Sequence, residues 1–303
     1  MAVSTKIIRR RIRSIGNTKK ITKAMEMVAA AKMRKAVNAV LSSRAYADVA
    51  WQTVMQLVAR VDRTKHPLLQ PHEKTTTAAF ILVTSNRGLC GGFNSRMVTE
   101  ANGYSRARRA SGVTDQSWVV LGRKGGEALA RQEQRVVAEF EKQDMAQSSA
   151  DVTALTTMVV KGYLAGQYDQ VAVMYTDFVT PLRQEPRIKQ LLPLEPAPDE
   201  TLGSVGRREP ALVSGPRASE YLFEPSPAEV LDQFLPRLIE IQLYQALLES
   251  TASEHSARML AMRNASDAAT DMMWGLTLVY NQARQAGITR EIAEISGGKA
   301  ALE

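Results

Sequence analysis

The residues most capable of chemistry lie in two glycine-rich segments, 87–92 and 122–126. Each follows a short apolar run, which is where a nucleotide-binding sheet domain holds phosphate groups. Neither segment has the glycine spacing of a dinucleotide-binding loop or the Lys-Ser/Thr pair of a phosphate loop. The pattern therefore favours tight strand-to-helix turns, with Gly88, Gly91 and Gly92 as turn residues, over a nucleotide site.

The single cysteine, Cys90, lies in the first of these segments and is a candidate nucleophile. No histidine is expected in the sheet domain around it, so the usual general base is missing. A small buried thiol is the more economical interpretation. The three histidines, His66, His72 and His255, do not have metal-ligand spacing, and His255 is expected to set helix register instead. The sequence thus predicts no catalytic residue, no cofactor site and no metal site.

Positive charge is concentrated at the N-terminal end. The chain has 39 Lys and Arg against 31 Asp and Glu, and residues 1–60 hold 13 of the basic residues but only 2 acidic ones. A nucleic acid, an anionic membrane surface or an acidic protein could bind such a segment. No aromatic residue precedes Tyr46, which removes the stacking platforms that single-stranded nucleic acids use.

Composition excludes several broad classes. With 45% apolar residues, 18 Gly and 12 Pro among 303, the chain is neither intrinsically disordered nor of low complexity. No apolar run approaches the length of a transmembrane helix. The first 13 residues lack the apolar region of a secretory signal, so we expect an intracellular protein.

Two proline-free ends enclose the rest of the chain, since all 12 prolines lie between Pro67 and Pro236. A 4/3 alternation of mostly apolar residues runs from Met25 to Val61 and again from Phe234 to Ala283. A repeat of 3.5 residues over this length is typical of a coiled coil. We expect the two ends to pair antiparallel with each other; pairing of each end with a second copy of itself is the alternative.

The middle of the chain has strand and helix patterns in alternation. Apolar runs rich in β-branched residues predict strands at 79–84, 118–121 and 171–175. Helical stretches are predicted at 95–110, 124–131 and 152–163. This order predicts a Rossmann-like α/β domain with a mostly parallel sheet, joined to the long antiparallel coiled coil. The predicted division is a coiled-coil helix at 1–66, the α/β domain at 67–192, a proline-rich connector at 193–227 and a second coiled-coil helix at 228–303.

Three segments resemble the motifs of one family, the γ subunits of F-type ATP synthases. Residues 17–30 are similar to the family's N-terminal signature, and residues 85–94 to its central glycine-rich motif. Residues 253–259 and 280–295 are similar to its C-terminal end. The motifs occur in family order and span nearly the whole chain.

The resemblance implies a non-catalytic rotor that turns as one copy inside a ring of α and β subunits. It implies that the α/β domain rests with the ε subunit on the membrane c-ring. Ion flow through that ring would then be coupled to ATP synthesis or hydrolysis at the α/β sites. The implied location is the cytoplasmic side of a bacterial inner membrane, or alternatively the mitochondrial matrix side. The competing hypothesis, based on charge alone, is a basic coiled-coil protein that binds nucleic acid.

The resemblance also implies contact residues. It places seven against the β subunits: Lys20, Lys23, Met25, Lys32, Arg284, Gln285 and Thr289. It places Phe223 and Glu224 against the c-ring or the ε subunit.

Three residues depart from the family pattern. Asn86 stands where Asp is usual, which removes a charge and puts a cap or an ion pair in doubt. Phe223 stands where Tyr is common. Pro236 replaces a helix former, so it is expected either to occupy a first turn or to bend the C-terminal helix locally.

Overall fold

The computed structural model describes residues 5–58, 66–72, 74–144, 148–194 and 226–300. The chain forms two compact units, one of residues 1–29 and 259–303 and one of residues 30–258. The boundaries of these units fall within both terminal helices. The division into four parts expected from the sequence is based on secondary structure and not on compactness, so these units do not test it and it stays a prediction.

The elements alternate as the sequence pattern indicates. The helices are α1 (Thr5–Val58), α2 (Phe93–Ala110), α3 (Arg123–Ala130), α4 (Ala150–Leu164) and α5 (Pro227–Ala300), with a 3-10 turn at Pro67–Leu69. The strands are β1 (Thr77–Val83), β2 (Asp115–Leu121), β3 (Val136–Phe140), β4 (Gln170–Thr180) and β5 (Arg183–Leu192).

The strands form one sheet in the order β3-β2-β1-β4-β5. The first four are parallel, and β5 pairs antiparallel with β4 as a hairpin. The expected α/β fold with a mostly parallel sheet is therefore confirmed. The expected strands at 118–121 and 171–175 lie within β2 and β4, and the one at 79–84 matches β1 except that β1 ends at Val83. The chain adds β2 and β3 on one side of β1 and then crosses to add β4 on the other side. This change in the order of strands is typical of doubly wound folds.

Two strands were missed by the sequence analysis. Strand β3 lies at one edge of the sheet and is only half-buried at alternate positions, so it has no continuous apolar run. Strand β5 lies at the other edge, is mostly polar and includes Pro186. Edge strands tolerate proline and charge because one side of the backbone is unpaired.

The sheet of the second unit has a core on each face. On one face, α1, α4 and α5 pack through residues such as Val40, Val159 and Leu235. On the other face, α2 and α3 pack through Met97, Ala101 and Leu129. The parts of both terminal helices that belong to this unit are thus components of its α/β core.

The terminal helices pair antiparallel within each unit. In the second unit, Gln245 Nε2 donates to Ser43 Oγ at 2.9 Å. In the first unit, an Arg9 guanidinium nitrogen donates to the Tyr280 hydroxyl at 2.6 Å. Since the residue number falls along α5 as it rises along α1, the chain pairs its own two ends, as the 4/3 alternation predicts.

Small side chains form much of the shared stripe. Ala29, Ala36 and Ala47 are at most 2% exposed, which permits close approach of the two helices. Phe234, expected in the stripe, is 43% exposed, so that assignment is wrong. Pro236 lies inside α5, not in its first turn, and the local bend stays a prediction. The expected positions Val54, Leu57 and Val61 lie outside the side chains that the structure describes.

Gly122, between β2 and α3, gives the fold a testable constraint. Its φ is 98°, and a Cβ there would clash with the carbonyl group of Thr84. We expect Gly122→Ala to lower the free energy of unfolding by about 2 kcal/mol or more. Urea unfolding followed by circular dichroism measures this loss.

Gly103→Ala is the matched control, because Gly103 is exposed on α2 and a Cβ there meets nothing within 4 Å. Alanine favours helix, so this variant is expected to be as stable as the wild type or about 1 kcal/mol more stable. Equal stability of the two variants would contradict the constraint at Gly122.

Candidate interaction site

The basic contact candidates of the first unit lie on the outer surface of α1. Lys20 and Lys23 are exposed, and Met25 is half-buried at the edge of the helix pair. Lys23 Nζ lies 3.0 Å from the Glu26 carboxylate one turn away. An exposed pair of this kind contributes little to stability, so Lys23 stays available to another acidic group.

The contact candidates on α5 are also exposed, but they lie at a different position along the axis of the helix pair. Arg284, Gln285 and Thr289 all face solvent. Gly16 lies beside Met273, so antiparallel register places Lys20 about 20 Å along the axis from Arg284 at 1.5 Å per residue. The structure therefore does not bring the two groups of candidates together.

The outer surface of α5 also exposes large apolar side chains that the sequence analysis did not single out. Trp274 is 75% exposed and Ile295 is 74% exposed. Their signal in the sequence is that both lie off the 4/3 stripe, where a polar residue is usual.

Lys32 differs from the other candidates because it has a partner within the chain. Its ammonium lies 2.8 Å from the Asp144 carboxylate in the second unit. The hydrogen bond from Lys32 is the largest influence on the pKa of Asp144 and holds it below its ordinary value. A contact between Lys32 and another protein would compete with this pair.

The glycine-rich segment after β1 forms the turn into α2. Gly91 has a φ of 56°, and Gly92 occupies the N-cap position of α2. A Cβ at Gly88 would meet nothing within 4 Å. The left-handed conformation is also adopted by Leu89, with a φ of 62°, which sequence reasoning did not anticipate.

Cys90 is buried in this turn, as expected, with 2% exposure. Asn94 Nδ2 lies 3.4 Å from its Sγ, and Asn94 Oδ1 accepts from the Ser85 backbone at 3.0 Å. The expectation that the sheet domain has no histidine is wrong. His72 lies 2.7 Å from Asp169, but at the opposite end of β1 from Cys90.

Asn86 joins the loops that follow β1, β2 and β3. Its Nδ2 donates to the Lys142 carbonyl at 2.5 Å, and its Oδ1 accepts from the Arg123 amide at 3.4 Å. A side-chain oxygen at position 86 thus accepts from the first backbone amide of α3, and the effect of the departure from Asp stays a prediction. An ionised Asp could not donate to Lys142, so the amide adds a bond here.

A buried group of charges lies beside these loops. The Lys142 ammonium is 2.6 Å from the Glu254 carboxylate, and both side chains are less than 10% exposed. Arg258 lies 2.9 Å from the same carboxylate and donates to the carbonyls of Arg87 and Gly88 at 3.3 and 3.4 Å. This group fastens α5 to the glycine-rich turn.

Sequence reasoning missed this group, although two signals were present. Glu254 and Arg258 have the i, i+4 spacing of a helical ion pair and lie in a segment that resembles the family. Their partner Lys142 follows β3, a strand that the sequence did not reveal. His255 is buried beside them, and its Nε2 lies 3.2 Å from the Asp144 carbonyl, so it contacts the β3 loop rather than only setting helix register.

An open groove beside the glycine-rich turn is lined by side chains of both signs, including Arg123, Glu139 and Asp144. Among the described residues, no three His, Cys, Asp or Glu side chains are grouped as a metal would need. Within the same ranges, no helix combines the length and apolar character of a membrane span.

Comparison with known proteins adds the family. A family model described as ATP synthase matches residues 4–302. The ATP synthase gamma chain of Herpetosiphon aurantiacus is 44% identical to this chain, and the match covers 99% of each of the two chains. That of a Roseiflexus species is 43% identical over 99% of this chain and 98% of the relative. The chain belongs to the ATP synthase gamma chain family.

The fold agrees with this family. The rotor of the Euglena gracilis mitochondrial ATP synthase has a chain with a TM-score of 0.60 and 20% identity, covering 94% of this chain and 98% of that one. A second structure of that enzyme, of its OSCP, F1 and c-ring parts, gives a TM-score of 0.62 at 18% identity, with 98% and 94% coverage. A gamma chain is a subunit of the ATP synthase complex, and nothing among these relatives supports the nucleic-acid hypothesis.

The family's contact candidates are not all within the described residues. Phe223 and Glu224, which the resemblance places against the c-ring or the ε subunit, lie outside them. Their contacts stay a prediction.

Glu254 gives the buried charge group a direct test. Glu254→Ala leaves the Lys142 ammonium buried without its anion, so we expect a loss of about 3–5 kcal/mol in the free energy of unfolding. Asp115→Asn, which breaks the exposed pair between Asp115 and Arg135 in the same unit, is expected to cost less than about 1 kcal/mol. Urea unfolding of both variants checks this difference, and similar losses would contradict it.

The same group predicts an acid dependence. Burial alone would raise the pKa of Glu254, but Lys142 and Arg258 outweigh burial and hold it below the ordinary 4.5. The stabilisation is therefore present above pH 4.5 and is lost as the pH falls through the lowered pKa.

Proposed function

We propose that this chain is the non-catalytic rotating shaft of an ATP synthase. It couples ion flow through the membrane c-ring to ATP synthesis or hydrolysis at sites held by the α and β subunits. The observation that carries the proposal is membership of the gamma chain family together with an antiparallel pair of terminal helices whose outer surface is exposed.

A shaft needs stiffness and an uneven surface, and the first unit has features suited to both. Its two helices bury one narrow stripe against each other and leave most other side chains exposed. Both helices expose basic and large apolar residues in alternation, such as Lys20 and Ile21 on α1 and Arg284 and Trp274 on α5. A surface of this kind presents different chemistry to each neighbour as it turns.

The proposed β contacts are of two kinds. Lys20 and Lys23, with Met25 beside them, attract an acidic loop of the β subunits, and this attraction is screened by salt and forms no fixed bond. Arg284, Gln285 and Thr289 contact the β subunits at a separate level. Lys32 is a weaker candidate because Asp144 already binds it.

The proposed contacts with the c-ring and the ε subunit involve Phe223 and Glu224 and the connector around them. They place the chain peripherally on a membrane, on the cytoplasmic side in a bacterium. The proposal assigns no chemistry to the chain itself. In support of this, the single thiol is buried among hydrogen-bonding neighbours and His72 lies at the far end of β1.

Reconstitution tests the proposal. The full chain is mixed with α and β subunits of the same organism, and ATP hydrolysis is assayed beside a version truncated after Tyr280. We expect an active complex with the full chain and impaired assembly or turnover after truncation, which removes the exposed end of α5. Equal activity with and without the chain would overturn the proposal.

Charge removal on α1 tests the β contact. The double variant Lys20→Gln/Lys23→Gln is expected to associate with the α and β subunits about two- to tenfold more slowly at low salt, since exposed charges act mainly on association rate. The difference is expected to shrink as salt is added. Stopped-flow association at two salt concentrations measures both effects.

Arg10→Gln/Arg13→Gln is the control, because both arginines are exposed on the same helix and the same net charge is removed. A smaller effect in this control indicates a local contact at Lys20 and Lys23. An equal effect would show that only total charge matters and would contradict the assigned contact.

A further inference from the structure

His255 lies where α5 meets the loops that follow β1 and β3, and it is only 3% exposed. Two hydrogen bonds hold its imidazole ring, one at each ring nitrogen. Nε2 lies 3.2 Å from the Asp144 carbonyl, and Nδ1 lies 3.3 Å from the Nη1 atom of Arg258. The ring is therefore fixed on both sides, by the β3 loop and by its own helix.

The two partners determine which ring nitrogen carries the proton. A backbone carbonyl can only accept a hydrogen bond, so Nε2 must be the donor to Asp144. A guanidinium group can only donate and stays charged, so Nδ1 must be an unprotonated acceptor from Arg258. In this arrangement His255 is therefore neutral, with its one ring proton on Nε2.

Arg258 connects this histidine to the glycine-rich turn. Its Nη1 donates to His255, and its Nη2 lies 2.9 Å from the Glu254 carboxylate. The same Nη2 donates to the carbonyls of Arg87 and Gly88 at 3.3 and 3.4 Å. Because the guanidinium group is planar, the bond at Nη1 fixes the plane in which Nη2 meets these acceptors. The neutral ring of His255 thus orients the group that binds the turn.

A proton on Nδ1 would add a cation to a site that already has more cations than anions. The charged side chains around this contact are Glu254 and Arg258 of α5, Lys142 and Asp144 after β3, Lys32 of α1 and Arg87 of the turn. Burial is the largest influence on the pKa of His255 and, with the charges of Arg258 and Lys142, holds it below the ordinary 6.5. The bond to Asp144 and the charge of Glu254 favour the charged ring but are outweighed.

We propose that His255 is an acid-sensitive contact, which holds Arg258 against the glycine-rich turn while it is neutral and releases it when Nδ1 takes a proton from solvent. The new N–H would point at an N–H of Arg258, so the hydrogen bond between them breaks and two like charges face each other. The bond from Nε2 to Asp144 remains, since that nitrogen is already the donor. The pair of Lys142 with Glu254 does not involve the ring, so α5 stays attached to the β3 loop while the turn loosens.

The inference goes beyond the proposed function and does not rest on it, because every residue involved lies within the second unit. Its pH range follows from the lowered pKa. A histidine of this kind gives its full stabilisation above the ordinary pKa of 6.5, and the stabilisation declines as the pH falls from 6.5 towards the lowered pKa. The contribution of Glu254 is complete down to pH 4.5, so the response of His255 begins at a higher pH.

Nuclear magnetic resonance of the full chain tests the position of the proton, because long-range ¹H–¹⁵N spectra distinguish the two neutral ring forms and the charged ring. The chain has three histidines, so the double variant His66→Gln/His72→Gln leaves only the signals of His255. At about pH 8 we expect the proton on Nε2. On acidification we expect a charged ring with a midpoint below 6.5. A proton on Nδ1 in the alkaline spectrum, or a midpoint at or above 6.5, would overturn the proposal.

Hydrogen exchange tests the release of the turn. His255→Gln is the matched variant, because a glutamine amide offers both a donor and an acceptor but takes up no proton in this pH range. The wild type and the variant are compared at the same pH, so that intrinsic exchange rates cancel. Between about pH 7 and pH 5, residues 85–96 are expected to exchange about tenfold faster in the wild type relative to the variant, as for loss of a hydrogen bond to a charged group. Unchanged relative exchange would contradict the release.

The double variant His66→Gln/His72→Gln is the control for this experiment. It keeps His255, so its turn is expected to lose protection in acid as the wild type does. Loss of that pH dependence in the control would assign the effect to another histidine and overturn the proposal. The control also keeps the test decisive if His255→Gln does not fold, because the exchange of the turn must then follow the titration of the ring. Different midpoints for the two would equally overturn the proposal.

Discussion

The antiparallel packing of α1 against α5 is the interaction on which the other features of this chain depend. Helices in proteins gain most of their stability by burying an apolar stripe against another element. Here each helix supplies the stripe that the other needs, with alanines at 29, 36 and 47 allowing a close approach. Within the second unit the same helices also cover one face of the sheet, so their packing and that of the sheet are one core.

Buried charge is concentrated where α5 meets α1 and the loops of the sheet. Glu254 and Arg258 bind the loops after β3 and β1, and Glu249 binds Arg44 of α1. Such pairs are costly to desolvate, and their partners must be well placed to offset that cost. If α5 slid or rotated, several buried charges would lose their partners at once. The buried charges therefore define a single register for α5, whose apolar stripe is largely repetitive.

The exposed surface has the opposite character. Lys20, Lys23 and Arg284 are exposed, where attraction between charges is weakened by salt. A rotor must exchange neighbours repeatedly, and weak reorienting contacts suit that task better than fixed ones. The proposed function thus matches a chain that places its strong electrostatic bonds inside and its weak ones outside.

The amino-acid sequence by itself determined the helical ends, their antiparallel pairing, three of the five strands and the family, because each depends on a local period or an ordered motif. It did not determine β3 and β5, since edge strands need no continuous apolar run. Nor did it reveal which groups pair with the buried Lys142, Asp177, Glu249 and Glu254. Lys142 and Glu254, for example, are 112 positions apart in the chain. Which charges are buried, and with which groups they pair, was decided only by the tertiary structure, because desolvation and charge pairing depend on neighbours that are distant in the chain.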